Sequence, residues 1–281
     1  MGKYGWSLPV AASSYAGHID FGIWLLHAVM LSIFALWGAF FVYLLVKFRA
    51  RPGVKAVRED HDDAPAPDSS SKLPFAAKLY RHKGELKSLI PDAVILTFEI
   101  ALIAFYAIPV WSQIKMNVPD TKDPVRVEIV SEQFGWSIHY AGPDGKLGRR
   151  KMDLMHFSNP IGLDRDDPAS ADDVVMGNEL RLPINKTVLI DLFSKDVIHS
   201  FFIPEFRIKQ DAVPGLKIPM WITPTKIGKF EITCAQLCGF AHSLMRGDVY
   251  VQTQDEFDSW YRSRLATIPA SAQPTNPAEA F

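Results

Sequence analysis

A chain of 281 residues can hold one large domain, or a smaller domain with a membrane anchor. Its formal charge of −1 excludes a general electrostatic attraction to nucleic acid. The averages hide the informative feature, because the apolar residues are unevenly distributed along the chain.

From Ile23 to Val46 the stretch IWLLHAVMLSIFALWGAFFVYLLV contains no Asp, Glu, Lys or Arg. As a helix, a run of that length crosses a bilayer core of about 30 Å. A second run, LIPDAVILTFEIALIAFYAIPVW from Leu89 to Trp111, is less pure because of Asp92 and Glu99. Ordinary core helices rarely reach about 18 uncharged apolar residues, so both runs read as membrane spans. Carboxylates at membrane depth are expensive, and Asp92 and Glu99 are expected to face a protein partner.

Ten Lys and Arg residues lie in positions 47–87, whereas only Lys3 precedes the first run. The positive-inside rule places the intervening loop, about 48–88, in the cytoplasm and both chain ends outside. The centre of that loop, REDHDDAPAPDSSSK, is charged and rich in Pro and Ser and reads as flexible. The first run is too long for a signal-peptide core and is read as a retained anchor. The expected organisation is therefore an external segment 1–22, a helix hairpin 23–111, a β domain 112–265 and a flexible tail 266–281.

Within the third region, apolar side chains alternate with polar ones. In VRVEI, Val125, Val127 and Ile129 point one way while Arg126 and Glu128 point the other. The pattern recurs at Val188, Ile190 and Leu192, at Phe230, Ile232 and Cys234, and in GDVYVQT. Such runs, separated by GPDGK, VPG and TPTKIGK, predict an antiparallel sandwich or barrel. A short helix is expected at QDEFDSWYRSRLA. The acidic stretch LDRDDPASADDV reads as a solvated loop, or else as a docking face for a basic partner. The histidines at 18, 27, 61, 82, 139 and 156 have no companions in sequence and read as structural or solvated.

Both cysteines of the chain, Cys234 and Cys238, lie in CAQLCGFAHSLMRGDV, followed by His242 and Met245. An inert buried pair, a disulfide and a metal site are the three readings. Cysteine, then histidine, then methionine on one loop is the ligand order of copper electron-transfer sites, which take a further histidine from a neighbouring strand. His199, at the end of the apolar stretch SKDVIHSFFIP, is available for that role. These soft to borderline donors exclude Ca²⁺ and Mg²⁺. Zinc would accept Cys₂His₂ but has no use for Met245. A mononuclear copper site needs one cysteine, and the C-x₃-C spacing suits two coppers bridged by both sulfurs.

On these motifs, DVIHSFFIPEFRIKQDAVPG (196–215) and CAQLCGFAHSLMRGDV (234–249), the chain resembles subunit II of haem–copper (cytochrome c) oxidases over about residues 20–265. The resemblance implies a two-helix transmembrane hairpin followed by an all-β cupredoxin domain, a Greek-key sandwich holding the dinuclear copper centre CuA. It implies that Cys234 and Cys238 bridge the coppers. His199 and His242 each supply an imidazole, Met245 a weak sulfur contact and Gln236 its backbone carbonyl. Many relatives carry Glu where Gln236 stands, helping to hold Mg²⁺ or Mn²⁺ at the subunit I interface. A neutral amide is a poorer ligand for a hard cation, which puts that metal in doubt here. Phe134 replaces the first tryptophan of a W-x-W segment through which relatives receive electrons, so Phe134 and Trp136 are candidates for that role. Glu85 is a candidate for the mouth of a proton path, although the spacing to Pro91 departs from the family's.

By this resemblance the chain is the electron-receiving subunit of a cytochrome c oxidase in a bacterial inner membrane. A c-type cytochrome donates on the periplasmic side. Haem in subunit I, assembled with other oxidase subunits, takes the electron for oxygen reduction and proton pumping. The chain itself carries no oxygen chemistry. A quinol oxidase subunit would lack the cysteines, and a nitrous-oxide reductase would need a large propeller. A membrane-anchored copper chaperone would show a βαβ pattern. No C-x-x-C-H occurs, so no covalent haem is expected and the donor is external.

Overall fold

The computed structural model describes residues 8–53 and 89–268. These form two units, one within residues 22–109 and the other made of the N-terminal residues up to Phe21 and those from Val110 onward. Most of the expected cytoplasmic loop, Glu85 and nearly all of the tail lie outside the described residues.

The first unit contains most of helix α1 (Ala16–Lys47) and of helix α2 (Ile90–Lys115). None of the residues in the most apolar part of either helix is buried within the chain, so neither is a core helix. Trp24, Phe34, Trp37 and Phe105 all present their side chains outward. Both helices are long and apolar enough to cross a membrane. In α2, Pro109 lacks an N–H and its ring would collide with the preceding turn. The widened π turn at Ile103–Ala107, just ahead of it, accommodates the misfit.

The second unit is a sandwich of two five-stranded sheets. Its strands are β1 (Val125–Glu132), β2 (Gly135–Tyr140), β3 (Val174–Gly177), β4 (Glu179–Pro183), β5 (Val188–Ser194), β6 (His199–Ile203), β7 (Ile208–Ala212), β8 (Ile218–Ile222), β9 (Gly228–Cys234) and β10 (Arg246–Gln252). One sheet runs β3-β2-β1-β5-β8 and the other β4-β10-β9-β6-β7. Pairing is antiparallel except for β1 with β5 and β4 with β10. Consecutive strands pair at β1-β2-β3, β6-β7 and β9-β10, and the chain crosses between the sheets after β3, β4, β5, β7 and β8. This is the architecture expected of a helix pair followed by a cupredoxin-type sandwich.

The alternating residues meet in the core: Val127 and Ile129, Ile190 and Leu192, Ile232, Val249 and Val251. Helix α3 (Gln254–Leu265) closes the sandwich where a short helix is expected. A capping box between Thr253 and Glu256 starts it, and Phe257, Trp260 and Tyr261 pack around Tyr140.

Simple alternation fails on β1 and β2, which are buried on both faces. The insertion 141–173 covers the outer face, and Ile161 and Leu163 join Val130, Val175 and Phe193 in a second small core. Glu128, expected to face solvent, is buried there, bonded to His139 at 3.0 Å and to Arg150 at 2.9 Å. His139 is not companionless, for its other ring nitrogen meets Asp173 at 2.6 Å. The acidic stretch is likewise mostly internal. Asp164 is paired with Arg149 and Lys151, and Asp172 and Asp173 are buried. Asp173 fastens the insertion to β2 through His139, Asp164 and Asp172 bond within the insertion, and Asp166 is exposed.

Residues 8–21 are part of this unit. Ser13 bridges Pro224, Ala12 N–H donates to the carbonyl of Glu205, and Ala12, Tyr15 and Ala16 are buried. Arg207 holds the strap with a two-nitrogen contact to Asp20 at 2.6 and 3.0 Å.

Candidate metal centre

Strands β6 and β9 pair antiparallel, Phe201 opposite Cys234, which brings His199 beside the end of β9. The chain then loops through 235–245 and returns as β10. The loop is closed at its base by Cys234 N–H donating to the Met245 carbonyl at 3.2 Å, and Ala235 N–H donates to the Ser200 carbonyl at 3.0 Å. A 3₁₀ turn at His242–Leu244 aims His242 back toward the cysteines.

Both cysteines are free and buried. Their sulfurs stand 3.9 Å apart, too far for a disulfide bond and close enough to share ions between them. His199 Nδ1 lies 4.0 Å from Cys234 Sγ, His242 Nδ1 lies 3.6 Å from Cys238 Sγ, and Met245 Sδ lies 3.8 Å from Cys238 Sγ. The Gln236 carbonyl is 3.2 Å from Cys234 Sγ, while its side-chain amide belongs to an exposed residue. The ligating atoms of His199, Cys234 and Cys238 all fall within 4.8 Å of one another. His199 and Met245 are fully buried, and His242 is partly exposed.

Burial, and then the neighbouring Cys234, push the Cys238 thiol up to about 11. A thiol raised in this way keeps its proton until a cation replaces it, so Cys238 behaves as part of a soft-metal site and not as a reactive cysteine. Soft sulfur and imidazole donors converging on one volume fit copper.

Sequence reasoning did not single out two residues that hold this arrangement. Asp196 Oδ1 accepts from Nε2 of His199 at 2.8 Å, leaving the Nδ1 lone pair toward the sulfurs. Burial raises the Asp196 pKa, but the His199 bond and the N–H groups of Gln133 and Val197 outweigh it and hold the carboxyl below its usual range. Gln133, in the β1–β2 turn, donates its main-chain N–H to Asp196 Oδ2 and its side-chain Nε2 to the Cys238 carbonyl. It thus ties both ligand-bearing segments to one turn. The aspartate three positions before His199 was visible in DVIH, but nothing local marks Gln133.

Of the two aromatic candidates, Trp136 is fully buried and meets His199 and Phe201 edge-on, with centroids 6.2 and 5.7 Å apart. Phe134 is partly exposed and packs edge-on against Phe240, whose ring stands almost wholly in solvent. Asp92 and Glu99 are exposed on α2.

Known proteins share this domain's sequence pattern. Residues 125–252 match the model for the periplasmic domain of cytochrome C oxidase subunit II. Over this stretch the chain is similar to that family's periplasmic domain. The alternative cytochrome c oxidase subunit 2 of Bradyrhizobium diazoefficiens is 45% identical over 152 residues, 54% of each chain. A cytochrome c oxidase subunit 2 from Synechocystis is 25% identical over 294 residues, covering 97% of this chain and 82% of the relative. The crystal structure of the periplasmic domain of cytochrome oxidase subunit II from Bradyrhizobium japonicum aligns at 26% identity. It covers 54% of this chain and 100% of that one, with a TM-score of 0.40. The match to the Bradyrhizobium diazoefficiens subunit spans about half of that relative's length.

Proposed function

We propose that this chain is the electron-receiving subunit of a respiratory haem–copper oxidase, taking electrons from a c-type cytochrome at a dinuclear CuA centre. The supporting observation is the pair of free, buried sulfurs 3.9 Å apart, flanked by His199, His242 and Met245. The second cysteine exceeds what a single copper needs, and Met245 exceeds what zinc needs. A bound copper pair would supply a one-electron couple spread over two ions. Cys234 and Cys238 would hold it as bridging thiolates, with the imidazoles at either side and the Gln236 carbonyl and Met245 sulfur as weak contacts.

The chain's own contribution is rigidity and shielding. Both ends of the 235–245 loop are pinned to strands, and Asp196 and Gln133 lock the orientations of His199 and Cys238. Little rearrangement then accompanies a change of charge. Trp136 excludes water beside His199, whereas Phe134 and Phe240 carry aromatic surface outward from the site, where a donor would approach. Subunit I and the other oxidase subunits would receive the electron, reduce oxygen and pump protons. Asp92 and Glu99 would face subunit I within a bacterial inner membrane, with the 112–265 domain and both termini periplasmic. The exposed amide of Gln236 offers a hard cation little, so an interface Mg²⁺ or Mn²⁺ stays outside the proposal. Glu85, outside the described residues, keeps only its sequence-based candidacy for proton uptake.

The test is metal analysis with electron paramagnetic resonance on the purified full chain, since residues 8–21 pack into the domain. Two coppers per chain and a signal from one electron shared between them are expected. Stoichiometric zinc, or one localised copper, would overturn the assignment.

A further inference from the structure

We propose that a cleft between the N-terminal strap, the end of α2 and strands β7 and β8 binds the headgroup region of an anionic phospholipid. The proposal rests on the reading of α1 and α2 as membrane spans. The cleft has a volume of about 180 Å³, and its walls include Tyr15, Trp111, Met220 and Trp221. Tyr15 and Trp221 are buried and meet edge-on at 5.5 Å, while Trp111 is exposed.

Its height follows from the sequence. The charge-free run begins at Ile23 and the second run ends at Trp111, so Ile19 and Lys115, which also line the cleft, lie one helical turn outside. One turn is about 5.4 Å, which puts the cleft at the level of lipid headgroups, where Trp and Tyr side chains gather.

Its charge favours an anion. Lys115 donates to the Gln210 side-chain oxygen at 2.5 Å, and the Lys209 ammonium lies over the Phe202 ring at 4.5 Å. Neither lysine has a carboxylate partner among the described residues. The third cation at the cleft, Arg207, is neutralised by Asp20. Two lysines without carboxylate partners, among the residues lining an otherwise aromatic and apolar cleft, match a phosphodiester joined to acyl chains. A free phosphate would leave the apolar part unused. A zwitterionic lipid would bring its own cation against the lysines.

Native mass spectrometry of the detergent-purified full chain, with added dioleoyl-phosphatidylglycerol or dioleoyl-phosphatidylcholine, provides the test. One lysine near an anionic lipid is worth about a fivefold preference, so the pair predicts roughly a thirtyfold preference for phosphatidylglycerol. The K115Q/K209Q variant should bring the two lipids close to parity, while K115R/K209R should keep the preference and so control for folding. Excess inorganic phosphate should not displace the lipid. Equal binding of both lipids by the natural chain, an unchanged preference in K115Q/K209Q, or displacement by inorganic phosphate would each overturn the proposal. Alkaline extraction of membranes tests the spans separately. Release of the chain would overturn the spanning reading itself, whereas a retained chain with no lipid preference would overturn the cleft alone.

Discussion

Asp196 and His199 lie three residues apart and form one unit: the carboxylate accepts from Nε2 while Nδ1 turns to the sulfurs. A negative charge one ring away from a metal makes the imidazole a stronger donor and favours the more oxidised state. Asp196→Asn keeps an acceptor but removes the charge. Copper affinity should fall by about 10–100-fold, and the midpoint potential should rise. Copper competition and redox titration of the variant measure both. An unchanged potential would reduce Asp196 to a mere spacer.

Gly239 follows Cys238 with φ +140°, and a Cβ there would stand 2.8 Å from Gln133 Nε2 and 3.0 Å from the Phe134 ring. Gly239→Ala therefore strains the backbone and pushes away the amide that holds the Cys238 carbonyl. A stability loss of about 1–3 kcal/mol is expected. The copper chromophore should broaden or vanish as well, read from thermal unfolding and the visible spectrum. A normal spectrum at full copper occupancy would show that Gln133 does not position the loop.

His139 is fully enclosed between Asp173 on one ring nitrogen and Glu128 on the other. Glu128 also takes Arg150, and Asp173 takes the N–H groups of Gly142 and Gly148. Burial disfavours the charged imidazole, but the two carboxylates outweigh it and raise the pKa above its ordinary value of 6.5. The stabilisation from charged His139 is thus fully present below pH 6.5 and fades as pH rises through the folded-state value. Burial likewise opposes ionisation of Glu128, yet its bonds to His139 and Arg150 lower its pKa, so its contribution fades in acid. Stability should be greatest between these limits. His139→Gln should cost about 3 kcal/mol at neutral pH and flatten the alkaline fall in stability. Denaturant unfolding across pH checks both. A parallel downward shift at every pH would mean that packing, not charge, is what His139 supplies.

The strands at 188–194 and 228–234 were legible because one face is apolar and the other is not, and β1 only through the alternation of its first half, 125–129. The candidate ligand side chains could be grouped from sequence because four of them share one loop, and the structure brings the fifth, His199, beside them from the strand opposite. Three features were hidden for separate physical reasons. The insertion 141–173 covers β1 and β2 through scattered contacts such as Ile161 and Leu163, which have no period. Its aspartates read as a solvated run because their partners, Arg149 and Lys151 for Asp164 and His139 for Asp173, are fixed only by the fold. Gln133 acts across 105 positions on Cys238, and no local pattern announces such a bond.

The ion pair of Asp20 with Arg207 joins the main-chain bonds of Ala12 and Ser14 in seating the strap at residues 8–21. The Arg207 side chain is 8% exposed, and it contacts Asp20 while also donating to the carbonyls of Pro9 and Pro204. Asp20→Asn leaves the guanidinium partly buried with two carbonyls and no counter-charge. Breaking a fully buried pair costs about 3–5 kcal/mol, and the partial exposure of Asp20 reduces this to about 1–3 kcal/mol. The loss should appear first as faster proteolysis within residues 8–21, since Ser13 and Tyr15 bond to Phe206 and Trp221 only while the strap is seated. The double substitution Asp20→Leu with Arg207→Met restores neutrality and should recover part of the loss. Protease mapping with thermal unfolding compares the three chains. If Asp20→Asn left both the cleavage rate and the unfolding temperature unchanged, the main-chain bonds of Ala12 and Ser14 alone would hold the strap, and the ion pair would be surplus.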